Sequence, residues 1–461
     1  MITRRNFLTR AGAMAGGAAL LAKVGSLEAQ QSGVPATNRP APPEQKLPPG
    51  QPGVDYTPVV TPNGVSLPWR VVDGVKVYHL IAEEVEHEFA PGIKAFCWGY
   101  NGRVHGPTIE AVEGDRVRIY VTNKLPAPTT VHWHGIILPN GMDGVGGLNQ
   151  PAIPPGQTFK YEFTLKQHGT NMYHSHHDEM TQMAMGLMGM FIIHPRRPQR
   201  LRADREFALL LSEWQVIPGT KRPNPNQMTD FNLFTINARV FPGTEPLVVK
   251  QNDRVRLRIA NLSAMDHHPI HLHGHEFKII GSEAGDSDEE IIRYQRLEGT
   301  VLVPVGQSRT IEFIADNPGD WALHCHMTHH VMNQMGDKFP NMLGVKPGGL
   351  DERIRKTLLP GYMSMGNTGM ADMAEMGMAV PKNSIPMVGG QGPFDYITMG
   401  GMFTVVKVRP DITTYEDRGW YQHPRGEVAS AADPEELRRD GIEVDGRVTS
   451  TWTPGHHHSR T

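Results

Sequence analysis

PPGQTFKYEFTLKQHGTNMYHSHH (154–177) and PVGQSRTIEFIADNPGDWALHCHM (304–327) are one pattern written twice, 150 residues apart. Each copy opens on a Pro/Gly turn, runs through a stretch in which apolar residues alternate, turns again at Gly, and ends in H-x-H. Alternation of period two between Gly and Pro punctuation is the signature of paired half-buried strands. Two further pairs extend the repeat. EGDRVRIYVTN (113–123) matches QNDRVRLRIAN (251–261), and VHWHG (131–135) matches IHLHG (270–274). Other short strand-like runs lie between turns, among them VKVYHLIAEEV, EFALLLSEW, LVVK and MFTVVKV. A repeat of this length marks a duplicated unit. The expected fold is all-β, with two tandem Greek-key β-sandwich domains at 66–200 and 203–412.

The remainder of the chain reads as accessories. Thr3-Arg4-Arg5-Asn6-Phe7-Leu8 precedes a mildly apolar stretch, as in a twin-arginine export signal (1–29) cleaved near Ala29. An ordinary secretory signal is the alternative. Residues 30–65 are Pro-rich and read as a linker or arm. In the second repeat the strand after H-C-H is delayed to 400–408, so residues 337–398 read as an insertion. Nine methionines lie in 361–402 and five in 180–190. Residues 413–461 read as a polar C-terminal arm. The expected location is the periplasm or the outside of the cell. The 461 residues carry a formal charge of −3 with no basic stripe, which argues against nucleic acid. No run of about 18 apolar residues follows the N-terminus, so no membrane span is expected.

Along a strand, residues i and i+2 share a face and i+1 takes the other. H-x-H is therefore a two-ligand unit. The chain holds four: His132/His134, His174/His176, His271/His273 and His324/His326. In the fourth, Cys325 faces away from the His that flank it. One metal can then bind Cys325 while His324 and His326 bind another. His330 and Met335 follow at spacings that fold back on Cys325, and His268 completes the set. Two His, a thiolate and a weak Met form a blue-copper electron-transfer site. The alternative for Cys325 is a disulfide to Cys97, the second of two cysteines.

His132-Trp-His-Gly, His174-Ser-His, His268-Pro-Ile-His-Leu-His-Gly and the run from His324 to Met335 resemble, in order, the four copper motifs of the multicopper oxidases. Only 91 residues separate His176 from His268, which resembles the two-domain, small-laccase type. The resemblance implies cupredoxin-like domains, with type 1 copper in the second only, because Ser175 stands where the first would need a cysteine. It implies type 1 copper on His268, Cys325, His330 and Met335. Type 2 copper would fall to His132 and His271, and the type 3 pair to His134, His174, His176, His273, His324 and His326. Relatives of this type are homotrimers with a trinuclear cluster between subunits that reduces dioxygen to water. Asp143, in MDGVGGLNQ, resembles a family acid that assists proton delivery, or is simply a turn Asp before Gly.

Some alternatives stay open. His329 adjoins His330, and His267 adjoins His268; family spacing favours His330, and the His-Pro step favours His268. His177 and His275 are expected behind the ligands or facing solvent, and Cys97 is expected to be a buried thiol. The expected function is laccase-like oxidation of a phenol or aromatic amine. Cu(I) is the alternative reductant, with the methionines as soft ligands, against a bland reading of core filling and flexible insert. Copper nitrite reductase and copper sequestration are the rival classes.

Overall fold

The computed structural model describes residues 47–198, 201–217, 220–333, 389–397 and 399–443, with positions 353, 356 and 357 besides. Met335, the export signal, most of the Met-rich insertion and the terminal His run fall outside the described residues.

The chain folds as two β-sandwiches. In the first, a five-stranded sheet (Trp69–Val72, Val75–Ala90, Ile93–Tyr100, Arg116–Asn123, Thr158–Thr164) faces a three-stranded one (Ile109–Val112, Met188–His194, Gly169–His174). Alternate residues Val117, Ile119, Val121, Tyr161 and Phe163 meet Tyr173, Phe191 and Ile193 in one buried cluster. In the second, the strands Arg205–Trp214, Arg254–Asn261 and Ser308–Ile314 anchor a seven-stranded sheet. It faces a five-stranded sheet of Leu247–Lys250, Phe403–Arg409, Gly319–Cys325, His268–Leu272 and Thr300–Val303. Here Phe207, Leu257, Ile259, Ile311 and Phe313 pack on Ile270, Leu272, Leu323, Cys325, Val406 and Val408. Each sheet pair thus uses the period-two alternation to close one core.

The duplicated strands take equivalent places. Arg116–Asn123 pairs antiparallel with Thr158–Thr164, as Arg254–Asn261 does with Ser308–Ile314. The aspartate before each makes the same turn: Asp115 Oδ2 accepts from Val112 N–H, and Asp253 Oδ2 from Lys250 N–H. Gly319–Cys325 pairs with Phe403–Arg409, the strand beyond the Met-rich stretch.

Two features lie beyond the strand pattern. Val59–Val60, in the Pro-rich segment read as linker, adds a parallel strand beside Glu206 and Phe207 of the second sandwich. A two-residue strand is too short to show periodicity. The sandwiches are also tied by a buried ion-pair chain. Arg258 donates to Glu206 and, across the interface, to Thr170; Arg256 donates to Glu206 and Glu312. No described helix is long and apolar enough to cross a membrane.

Candidate functional site

The register around Cys325 decides the site. Ile270 lies opposite Cys325, and His271 opposite His324. Directly opposed residues share a face, so Cys325 and Ile270 enter the core while His271 and His324 leave it. His268, two residues before Ile270, points with Cys325.

His268, Cys325 and His330 are all fully buried. Cys325 Sγ lies 3.4 Å from His330 Nδ1 and 3.7 Å from His268 Nδ1, and the two Nδ1 atoms are 3.1 Å apart. Metal bonds of about 2.0 Å to nitrogen and about 2.3 Å to sulfur, opened between tetrahedral and trigonal angles, place ligand atoms about 3.3–3.7 Å apart, close to the spacings here. The three atoms therefore frame a hole for one ion, and two imidazoles with one thiolate are the donor set of a blue-copper centre. The outer nitrogens are held: His268 Nε2 is 2.7 Å from Ser263 Oγ, and His330 Nε2 is 3.5 Å from an Asp266 carboxylate oxygen. The His330 ring stacks on Phe234 at 4.2 Å. His267 is exposed and accepts from Val305 N–H, while His329 is exposed at the start of the turn that carries His330. Cys97 and Cys325 are both free thiols, so the disulfide alternative is excluded. Cys97 is buried beside Phe89 and Trp214.

On the other face of the same strands stand His271, His273, His324 and His326, with ring centroids 4.7–5.7 Å apart. The first sandwich carries its own four: His132, His134, His174 and His176, with centroids 5.3–6.0 Å apart. Backbone carbonyls aim several of these rings. His132 Nδ1–H donates to Asp143 O, His134 Nε2–H to Gly306 O, His174 Nδ1–H to Ser175 O, His271 Nδ1–H to Gly299 O and His324 Nδ1–H to Cys325 O. The remaining nitrogens face one another, His134 Nδ1 to His174 Nε2 at 3.3 Å and His273 Nε2 to His324 Nε2 at 3.1 Å. Imidazoles fixed through one nitrogen, with the other turned to a common centre, are arranged as metal ligands. Two of the four H-x-H units, His132/His134 and His271/His273, are followed by a glycine in the left-handed region where the chain turns, Gly135 and Gly274; at Gly274 a Cβ would strike the Trp321 indole.

The two tetrads do not meet. Among the described residues no ring contact or hydrogen bond joins one to the other. His271 sits beside Thr300, whereas His134 sits on Gly306, beyond the far end of the Thr300–Val303 strand. That strand alone spans roughly 10 Å. In the first sandwich Ser175 takes the place equivalent to Cys325, and its hydroxyl donates to Gln182. His275 is buried behind its tetrad, its Nδ1 on the carbonyl of His273. The Asp143 carboxylate is 3.6 Å from His132 Nδ1, near enough to exchange charge with that ring.

Burial keeps several of these groups uncharged. It lowers His174 to about 3 and takes His268 well below the ordinary imidazole value, and it moves His134, His273, His324 and His330 the same way. Burial also pushes the Cys325 thiol up to about 12. The imidazoles thus offer lone pairs, and the thiol ionises only against a bound cation. Residues missing from the sequence reading are the aiming carbonyls of Gly299 and Gly306, together with Ser263, Asp266 and Glu213, whose Oε1 accepts from the Asp266 N–H. A backbone carbonyl leaves no mark in a sequence. The three side chains become part of the site only through tertiary contact.

The chain is similar to known proteins. Models of the multicopper oxidase family match residues 82–198 and 218–342. Copper resistance protein A of Escherichia coli is 28% identical over 46% of this chain and 43% of its own length, so the chain spans less than half of that relative. The solved blue copper oxidase of Nitrosomonas europaea is 27% identical, with a TM-score of 0.51 over 72% of this chain and 85% of that one. The multicopper oxidase mgLAC is 25% identical, with a TM-score of 0.53 over 74% and 90%. With both sandwiches matched, over more than half its length, the chain belongs to the multicopper oxidase family.

Proposed function

We propose that this chain is an exported two-domain copper oxidase of the laccase type. It takes electrons singly from a small reductant, a phenol, an aromatic amine or Cu(I), and reduces dioxygen to water. The observation that carries the reading is Cys325 in the core, flanked in sequence by His324 and His326 on the opposite face. The electron-accepting site and the oxygen-reducing site are then a few covalent bonds apart. His268, Cys325 and His330 would hold type 1 copper, with Met335, which lies outside the described residues, as the fourth ligand. His132 and His271 would hold type 2 copper, and His134, His174, His176, His273, His324 and His326 the type 3 pair. Copper supplies one-electron redox chemistry and binds oxygen. The protein supplies neutral, aimed imidazoles, a dry pocket for the thiolate, and a carboxylate at Asp143 beside His132 to pass protons.

Because the tetrads of one chain lie apart, we infer that the cluster forms where the first sandwich of one subunit meets the second of the next. A closed head-to-tail ring does this, and a trimer is the ring we propose. His326 is exposed and the His176 side chain is 34% exposed, which supports a partner over both faces. Export by the twin-arginine route suits a protein that leaves the cytoplasm folded around its metals. Ser175 argues against copper nitrite reductase, which needs its blue copper in the first sandwich. The test is oxygen uptake by copper-loaded protein with 2,6-dimethoxyphenol. One oxygen consumed per four electrons, with no peroxide, supports the reading; nitrite reduction without oxygen uptake overturns it.

A further inference from the structure

The three-stranded sheet of the first sandwich is buried on both faces. Phe191 and Ile193 point into its own core, whereas Met172, Met188 and Met190 point outward and meet Leu210 and Leu262 of the second sandwich. Met188 and Met190 belong to the methionine group of 180–190, so part of that group packs the seam between the sandwiches. Methionine fills gaps without dictating one fit. A seam built on it specifies the angle between the two sandwiches weakly.

The Pro-rich arm supplies directed contacts at the edge of that seam. Residues 57–66 run along it, and Val59 joins the buried methionines. Over this stretch the chain changes partner repeatedly. Thr57 Oγ1 donates to Ala203 O of the second sandwich. Val59 and Val60 extend the sheet of the second sandwich, yet the Val59 N–H donates to Glu110 Oε2 of the first at 3.0 Å. Asn237 Nδ2 of the second sandwich donates to Pro62 O. Asn63 and Glu245 exchange a pair, Asn63 N–H to Glu245 Oε2 at 2.6 Å and Glu245 N–H to Asn63 Oδ1 at 2.8 Å. Ser66 Oγ then donates to Glu110 Oε1 at 2.8 Å. Glu110 is buried, so each of these donors answers a polar group that would be costly to leave alone. Hydrogen bonds are directional, and they fix a register that methionine packing leaves loose.

The seam also bears on the first tetrad. His132 and His174 are aimed by carbonyls of their own sandwich, those of Asp143 and Ser175. His134 takes its carbonyl, Gly306 O at 2.9 Å, from the other sandwich. Asn171 Nδ2, close by, donates across to Glu283 O. A turn of one sandwich on the other therefore changes where the second nitrogen of His134 points.

Resting on the copper-oxidase reading above, we propose that residues 57–66 are a strut that fixes the angle between the sandwiches, and so holds Gly306 on His134 and the first tetrad in its ligating arrangement. Val59, Asn63 and Ser66 are positioning residues: they touch no metal ligand and act through the seam.

The test is made on the full chain loaded with copper. Val59→Pro/Asn63→Gly/Ser66→Ala cuts ties to both sandwiches. Proline fits an extended strand but has no N–H, and glycine keeps the left-handed turn at Asn63, whose φ is 59°. Val408→Ala, a cavity in the core of the second sandwich, is the control for lost stability alone. Scanning calorimetry, the blue absorption and the copper retained by the histidine sites against a chelator are measured. The parent is expected to melt in one transition and the triple variant in two, as the sandwiches uncouple. The blue absorption should persist, because His268, Cys325 and His330 all belong to the second sandwich. The remaining copper should bind about tenfold or more weakly, the usual cost of losing an outer partner of a ligating imidazole. Val408→Ala should melt earlier, in one transition, and keep that copper. One transition with parent-like copper retention in the triple variant overturns the proposal. So does equal copper loss in Val408→Ala, which would make the effect general instability. If the triple variant does not fold, Asn63→Gly alone must show the copper loss in smaller measure, and parent-like retention there overturns the proposal. If the parent holds no copper at its histidines, the oxidase reading fails, and the split transition by itself decides the strut.

Discussion

Two singly damaged chains should repair each other. His176→Gln removes an imidazole from the first tetrad, and His326→Gln removes one from the second. Neither side chain is buried in the single chain, so each exchange is expected to cost within about 0.5 kcal/mol of fold stability. Each variant alone has every cluster one ligand short and should be nearly inactive. The tetrads of one chain lie on either side of the Thr300–Val303 strand, with no ring contact or hydrogen bond between them among the described residues, so on the reading proposed above a cluster draws on two chains. In a randomly mixed ring, a cluster is whole when its first-sandwich face comes from the His326→Gln chain and its second-sandwich face from the His176→Gln chain. That is one half times one half, or about a quarter of all clusters, whatever the ring size. Co-expression of differently tagged variants, purification through both tags and oxygen uptake per subunit measure this. Recovery near a quarter of the parent rate is expected, adjusted for the excluded pure rings. Mixed oligomers, verified by native mass spectrometry, that show only the residual rates of the two variants would refute the argument: each chain would then complete its own cluster.

Cys325→Ser should abolish the intense visible absorption and all substrate oxidation while far-UV dichroism stays native. Cys325 is fully buried, and the new hydroxyl has two imidazoles within reach, so the loss is about 1–2 kcal/mol, a few degrees of Tm; an unfolded variant would make Cys325 structural. Arg258→Met leaves Glu206 buried against Arg256 alone and should cost about 3–5 kcal/mol in a urea titration; a loss below 1 kcal/mol would mean the ion-pair chain is dispensable. His87 and His105 are buried away from the metal centres, and burial lowers them to about 4 and about 3. The unfolded chain takes up their protons first, so stability is complete above pH 6.5 and falls as the pH drops towards those values. At pH 5 each contributes a loss of about 2 kcal/mol, and His87→Gln should remove one such share from the pH slope. Asp143→Asn keeps the backbone carbonyl that holds His132, so copper content should persist while turnover slows; an unaltered turnover would assign Asp143 to the turn alone.

Much of the fold was legible in the chain. The paired stretches 113–123 and 251–261 became equivalent strands in equivalent sheets, because the alternation that marks a strand is also what buries one of its faces. The short strand Val59–Val60 was not legible, since two residues carry no period and its partner lies some 150 positions away. The site divides in the same way. H-x-H and H-C-H name their residues locally, but the choice of His268 over His267, and of His330 over His329, depends on which ring reaches the sulfur.

The sequence by itself determined which side chains share a face: Cys325 on one side of its strand, His324 and His326 on the other, and the same alternation in three more units. Period two is a property of the extended backbone and needs no partner. Only the tertiary structure decided what those faces meet. It closed His268 and His330 around Cys325 and kept the two tetrads apart within one chain. It also brought Ser263 and Asp266 against the outer nitrogens of His268 and His330. Those distances are set by the packing of strands remote in the chain, and no local pattern encodes them.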